Sequence, residues 1–148
     1  MRFDLYIKQG MLVQPSGTIR AGVLVKDGRI AGLVHSDEHP AAFRVIDASG
    51  KYILPGLIDV HVHFRTPGLT YKEDFYSGSL AAAYGGITTV IDMPNVKPPT
   101  TGTGTLADKL HLVAGSSWVD YGVMAALTFE NVNQLEKLAE AGTAGFKL

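Results

Sequence analysis

Residues 57–68 read Leu-Ile-Asp-Val-His-Val-His-Phe-Arg-Thr-Pro-Gly, and the interpretation of the whole chain turns on them. Leu57–Phe64 is apolar and β-branched apart from its three polar positions, the pattern expected of a buried strand. Those three positions are Asp59, His61 and His63, at i, i+2 and i+4. On a regular strand they share one face. Two imidazoles two residues apart at a strand's end can reach one metal ion. The same spacing also occurs in histidines that are merely hydrogen-bonded. Burying two histidines and an aspartate together without a metal or partners is costly, which favours metal binding.

Downstream, strand and helix alternate. Thr70-x-x-Glu73 is a capping-box pattern and predicts a helix running through Tyr84, closed by Gly85-Gly86. Thr88–Met93 predicts a strand buried on both faces. Leu106, Leu110 and Val113 recur at helical spacing before Gly115. Val119–Leu127 contains a third strand. Val132, Leu135, Leu138 and Ala139 form a helical face ending at Gly142, and Ala144–Leu148 begins a fourth strand. Four parallel strands with three crossover helices result.

Upstream of Pro55-Gly56 the pattern changes to short alternating strands. Asp27-Gly28, between Val23–Lys26 and Arg29–Val34, is a hairpin signal, because a type I′ turn needs positive φ at both central positions. Leu5–Ile7, Met11–Val13, Phe43–Ile46 and Tyr52–Leu54 are further strand candidates. The expected organisation is α/β. Residues 1–55 form a small antiparallel, sandwich-like β module, and residues 56–148 form the first four β/α units of a (β/α)8 TIM barrel. A complete barrel takes roughly 250 residues, so the chain is expected to hold only its first half. On that reading the chain alone is inactive and prone to associate through an open sheet edge. A self-contained four-stranded flavodoxin-like sheet is the alternative.

Composition narrows the function classes. The chain has 148 residues, 46% of them hydrophobic and 18% charged, which excludes a disordered or collagen-like polymer. Thirteen basic against 14 acidic residues give a net charge of −1 with no basic stripe, so neither nucleic acid nor an anionic membrane is an expected partner. No apolar run approaches the roughly 20 residues of a membrane span, and no signal peptide is visible, so a cytoplasmic location is expected. Cysteine is absent, so any metal must be held by histidine, carboxylate or a less usual ligand.

Asp59-Val60-His61-Val62-His63-Phe64-Arg65-Thr66-Pro67-Gly68 resembles the signature of the cyclic amidohydrolases, the group of dihydroorotase, allantoinase and dihydropyrimidinase (hydantoinase). Gly85-Gly86-Ile87-Thr88-Thr89-Val90-Ile91-Asp92-Met93-Pro94-Asn95 is similar to that family's second-strand motif, and Gly145-Phe146-Lys147-Leu148 to its fourth. The resemblance spans essentially the whole chain in order. It implies a site for two divalent metal ions, usually zinc. By resemblance His61 and His63 ligate the more buried ion, and Lys147 matches the lysine that CO2 converts to a bridging carbamate. Asp59 is expected to orient an imidazole. Arg65 and Asn95 match the pair that holds the substrate carboxylate in dihydroorotases, where a planar guanidinium fork suits that anion. The Gly-Phe-Lys setting of Lys147 is at least as typical of allantoinases and hydantoinases.

The implied activity is metal-assisted hydrolysis of a small cyclic amide, with dihydroorotate and N-carbamoyl-aspartate as the first pair. A non-catalytic paralogue serving as an assembly subunit is a reading from another class. No catalytic acid–base residue is expected in this chain. The family's general-base aspartate and two further histidine ligands belong to later strands. A homo-oligomer, dimer or tetramer, is also implied.

The remaining polar residues have plainer expectations. His35 and His39 belong to an exposed loop, and His111 to a solvated helix face. Gly102-x-Gly104 lacks the Gly-Lys-Ser/Thr of a phosphate loop. Trp118 and Tyr121 are expected to pack around the third strand. Asp92, inside a buried strand, requires a partner that the sequence does not name.

Overall fold

The computed structural model describes residues 2–148. The chain divides into two compact units, Met1–Pro55 and Gly56–Leu148.

In the first unit, β1 (Phe3–Gln14) is one long strand rather than the two short ones expected. Its register slips between Ile7 and Gly10, and Gln9 takes a φ of 61° at the slip. That bulge breaks the apolar alternation and disguises one strand as two. β2 (Gly17–Lys26) returns antiparallel to β1, and β3 (Arg29–His35) returns antiparallel to β2. The turn between β2 and β3 is Asp27-Gly28, with φ of 52° and 71° at its two central residues, as the dipeptide predicts. The Asp4 carboxylate clamps this turn, accepting from Lys26 Nζ at 2.8 Å and from the Asp27 backbone N–H at 2.6 Å. β4 (Ala42–Asp47) and β5 (Tyr52–Ile53) add to β1 in parallel, so the antiparallel core carries a parallel flank. Tyr6, Ala21, Val23, Leu24 and Ala48 are buried in this unit.

In the second unit, β6 (Leu57–Val62), β7 (Ile87–Asp92), β8 (Asp120–Ala126) and β9 (Gly145–Lys147) form a parallel sheet in the order β6-β7-β8-β9. Each strand pairs with the next one in the chain, as in a barrel wall. A flavodoxin-like sheet reverses its order at a switch point, so that alternative is excluded. The arrangement is that of the first half of a TIM barrel. The crossovers are α1 (Phe75–Tyr84), α2 (Thr103–Val113), and a 3-10 turn at Val132–Gln134 leading into α3 (Leu135–Glu140).

α1 starts later than the Thr70-x-x-Glu73 pattern predicts. Asp74 is the N-cap, its carboxylate accepting from the Ser77 backbone N–H at 2.8 Å. Residues 65–73 are spent on turns, with Leu69 N–H donating to the Arg65 carbonyl and Lys72 N–H to the Leu69 carbonyl. β7 is not buried on both faces. Val90 and Asp92 are buried on the helix side, whereas Thr89 and Ile91 on the opposite face are only half-buried. Two apolar clusters join helices to sheet. Phe64, Phe75, Val90 and Val113 form one, and Leu106, Val123, Ala125 and Leu138 the other. Tyr121 packs edge-on against Phe75. Trp118, expected in the packing, is instead 57% exposed and rests its edge on Tyr76. His35, His39 and His111 are exposed. No described helix is long and apolar enough to cross a membrane.

Candidate metal and substrate site

The candidate residues gather at the C-terminal ends of the parallel strands, the end where barrel enzymes place their chemistry. Val62 packs against the Phe64–Phe75–Val90–Val113 cluster on the helix side. Alternation then sends His61 and His63 to the opposite side, where their ring centroids lie 5.2 Å apart. The register of β6 against β7 slips between Asp59 and Val62, so simple alternation does not run from Asp59 to His63. The Asp59 carboxylate turns onto its own strand and accepts from the His61 backbone N–H at 3.0 Å.

His63 carries the clearest electrostatic signature. Its Nδ1 is buried and has no hydrogen-bond partner. Burial pushes its pKa below the ordinary histidine value, and the charges of Arg65, His61 and Lys147 push the same way against the opposing pull of Asp92. A neutral imidazole with an uncommitted nitrogen is the form that accepts a metal ion. Lys147, at the end of β9, is exposed and forms no ion pair among the described residues. Among the described residues no group of three His, Asp or Glu side chains could hold an ion. Imidazole nitrogen is a ligand type that suits a divalent ion, and the unpartnered His63 Nδ1 is uncommitted to any protein group.

Two turns flank the pair. The first runs from His63 through Gly68, and its Arg65 takes a φ of 58°, a left-handed conformation uncommon for a residue with a side chain. The second follows β7 through Met93-Pro94-Asn95. Arg65 Nη1 reaches the Asn95 carbonyl at 3.5 Å, so the two candidate carboxylate-binding residues are adjacent in space, and the Asn95 side chain is exposed. Gly68 joins the two turns closely. A Cβ built there would stand 2.2 Å from the Lys97 carbonyl oxygen, and Gly68 itself has a φ of 79°. Only glycine fits on both counts.

Lys109 was not visible as a site residue in the sequence. It lies on α2 and is fully buried, and its Nζ is 2.5 Å from Asp92 Oδ2. It is the missing partner of Asp92. The signal was available: Lys109 follows Leu106 by three residues and precedes Val113 by four, which puts it on the apolar face.

Residues 52–147 match the model of the Amidohydrolase family. The chain belongs to that family. It is 41% identical over 143 residues to a dihydroorotase of Methanosarcina acetivorans, covering 97% of this chain and 30% of the relative. It is 42% identical over 146 residues to an allantoinase of Streptomyces avermitilis, covering 97% and 33%. Among solved structures, the L-hydantoinase (dihydropyrimidinase) of Arthrobacter aurescens superposes with a TM-score of 0.92 at 36% identity, over 97% of this chain and 32% of that one. The chain thus spans about a third of the length of these relatives.

Proposed function

We propose that the protein acts as a metal-dependent hydrolase of a small cyclic amide, with dihydroorotate as the first candidate substrate. The observation that carries this reading is the His61–His63 pair, one ring kept neutral with an unpartnered buried nitrogen, beside an arginine and an asparagine on neighbouring turns. His61 and His63 would hold one divalent ion, zinc in the first instance. Lys147, as a carbamate formed with CO2, would bridge to a second. When bound, the ions supply a hydroxide nucleophile at neutral pH and polarise the ring carbonyl.

The remaining work belongs to the chain's own residues. Arg65 presents a guanidinium fork, and Asn95 an amide donor, to a substrate carboxylate, which sets the ring's orientation. Hydrolysis adds water across the ring amide. A C–O bond forms at the carbonyl carbon, the C–N bond breaks, and the ring nitrogen takes the proton. The similarity to dihydroorotases and allantoinases at nearly equal identity, with Gly145-Phe146-Lys147 at the end of β9, supports allantoin or a hydantoin as the second reading.

The deciding experiment is turnover of dihydroorotate, allantoin and hydantoin by the intact natural protein loaded with zinc. Preference for dihydroorotate, lost on replacing Arg65 with Gln, supports the first reading. Preference for a ring without a carboxylate overturns it in favour of the second. Absence of turnover on all three rejects both.

A further inference from the structure

Two charged groups lie buried in the sheet–helix layer with no part in the reaction just described. Asp92 and Lys109 are each 0% exposed. Their bonds extend beyond each other. Asp92 Oδ1 accepts from the Phe64 backbone N–H at 2.8 Å, and Oδ2 accepts from Lys109 Nζ. Lys109 Nζ also donates to the Met93 carbonyl at 3.2 Å. Phe64 directly follows His63, and Met93 stands two residues before Asn95. Phe64 also lies beyond the end of β6, where no strand supplies an acceptor for its N–H.

A buried ion pair is a weak source of stability, since well-packed apolar residues of similar volume hold a fold about as well. What a carboxylate and an ammonium supply, and leucine and methionine cannot, is directed hydrogen bonds to backbone groups. Here those bonds end on two different turns, one carrying His63 and Arg65, the other Asn95. We infer that Asp92 and Lys109 are positioning residues for the metal and substrate site, the carboxylate fixing the His63–Arg65 turn and the ammonium fixing the Met93–Asn95 turn from α2. This inference rests on the reading of His61 and His63 as metal ligands.

The test uses the intact natural protein and two charge-free double variants. In the unmodified protein the Phe64 amide should exchange with solvent as slowly as amides inside β7; free exchange would overturn the inference. In the Asp92→Leu/Lys109→Met variant, loss of a hydrogen bond to a charged group should speed Phe64 exchange by about tenfold to a hundredfold. The His63 imidazole resonance should shift or split, and zinc should bind about ten- to a hundredfold more weakly. The Asp92→Asn/Lys109→Met variant keeps an acceptor for Phe64 and should recover its protection and part of the zinc affinity. It also serves if the first variant does not fold. An unchanged His63 resonance with unchanged zinc affinity in a folded variant would refute the inference, whatever happened to stability. Should the unmodified protein bind no zinc, the metal reading fails on that result alone. The inference is then decided by the Phe64 and His63 signals in metal-free protein.

Discussion

Replacing Lys109 with methionine removes an ammonium and keeps a flexible apolar stem of similar length. In the parent, Lys109 Nζ contacts Asp92 Oδ2 at 2.5 Å with both side chains fully buried. The variant leaves the carboxylate with one remaining partner, the Phe64 N–H. Breaking a buried pair by removing one member costs about 3–5 kcal/mol, because an uncompensated charge stays in the interior. Removing the second charge as well, in Asp92→Asn/Lys109→Met, should raise stability above that of the single variant despite the extra substitution. What remains is an incompletely bonded buried amide, at about 1–3 kcal/mol. Urea unfolding of the intact protein and both variants, compared at constant m, measures this. A loss under about 1 kcal/mol for Lys109→Met, or a double variant less stable than the single one, would refute the assignment of a buried charged pair.

Other expectations follow from single features. Gly68→Ala places a Cβ 2.2 Å from the Lys97 carbonyl oxygen at a φ of 79°, so it should destabilise the turn by about 1–3 kcal/mol and weaken substrate binding; unchanged thermal stability would contradict the close approach. Arg65→Gln, which keeps a donor and loses the charge, should lower kcat/KM for a carboxylate-bearing ring by about tenfold to a hundredfold and leave a neutral ring less affected; equal losses on both would show that Arg65 does not read the carboxylate. The Asp4 carboxyl is held below its ordinary value first by the Lys26 hydrogen bond and then by the Asp27 N–H. Its folded pKa is depressed, so this contribution to stability is present above the unfolded pKa and is lost as pH falls through the folded one. Carbon-detected titration should find Asp4 titrating below 3.8, and Lys26→Met should raise it; an unshifted Asp4 would refute the clamp.

The parts of the fold visible in the sequence were those set by local backbone chemistry. Asp27-Gly28 announces its turn because few other dipeptides tolerate two positive φ values in succession. The alternation of β-branched runs with helical faces from Leu57 onward was legible for the same reason. Local patterns failed where a second pattern competed. Thr70-x-x-Glu73 has the form of a capping box, yet Asp74 caps the helix because the intervening residues form the turns that carry Arg65 and Gly68. β6 ends at Val62 and not Phe64 because the Phe64 amide leaves the sheet for the Asp92 carboxylate, a contact 28 residues away. The gathering of Arg65 beside Asn95 followed from family resemblance and not from spacing. The Asp92–Lys109 pair could have been anticipated by joining two facts: an aspartate inside a buried strand, and a lysine on a helix's apolar face.

On the proposed function, His61, His63 and Lys147 belong to a metal centre. A native mass spectrum of the intact natural protein, repeated on His61→Ala and His63→Ala, tests it most directly. The unmodified protein should carry two zinc ions and the added mass of one CO2, and both variants should lose zinc. A protein that takes up no zinc, or that keeps its full metal content without either histidine, would contradict it.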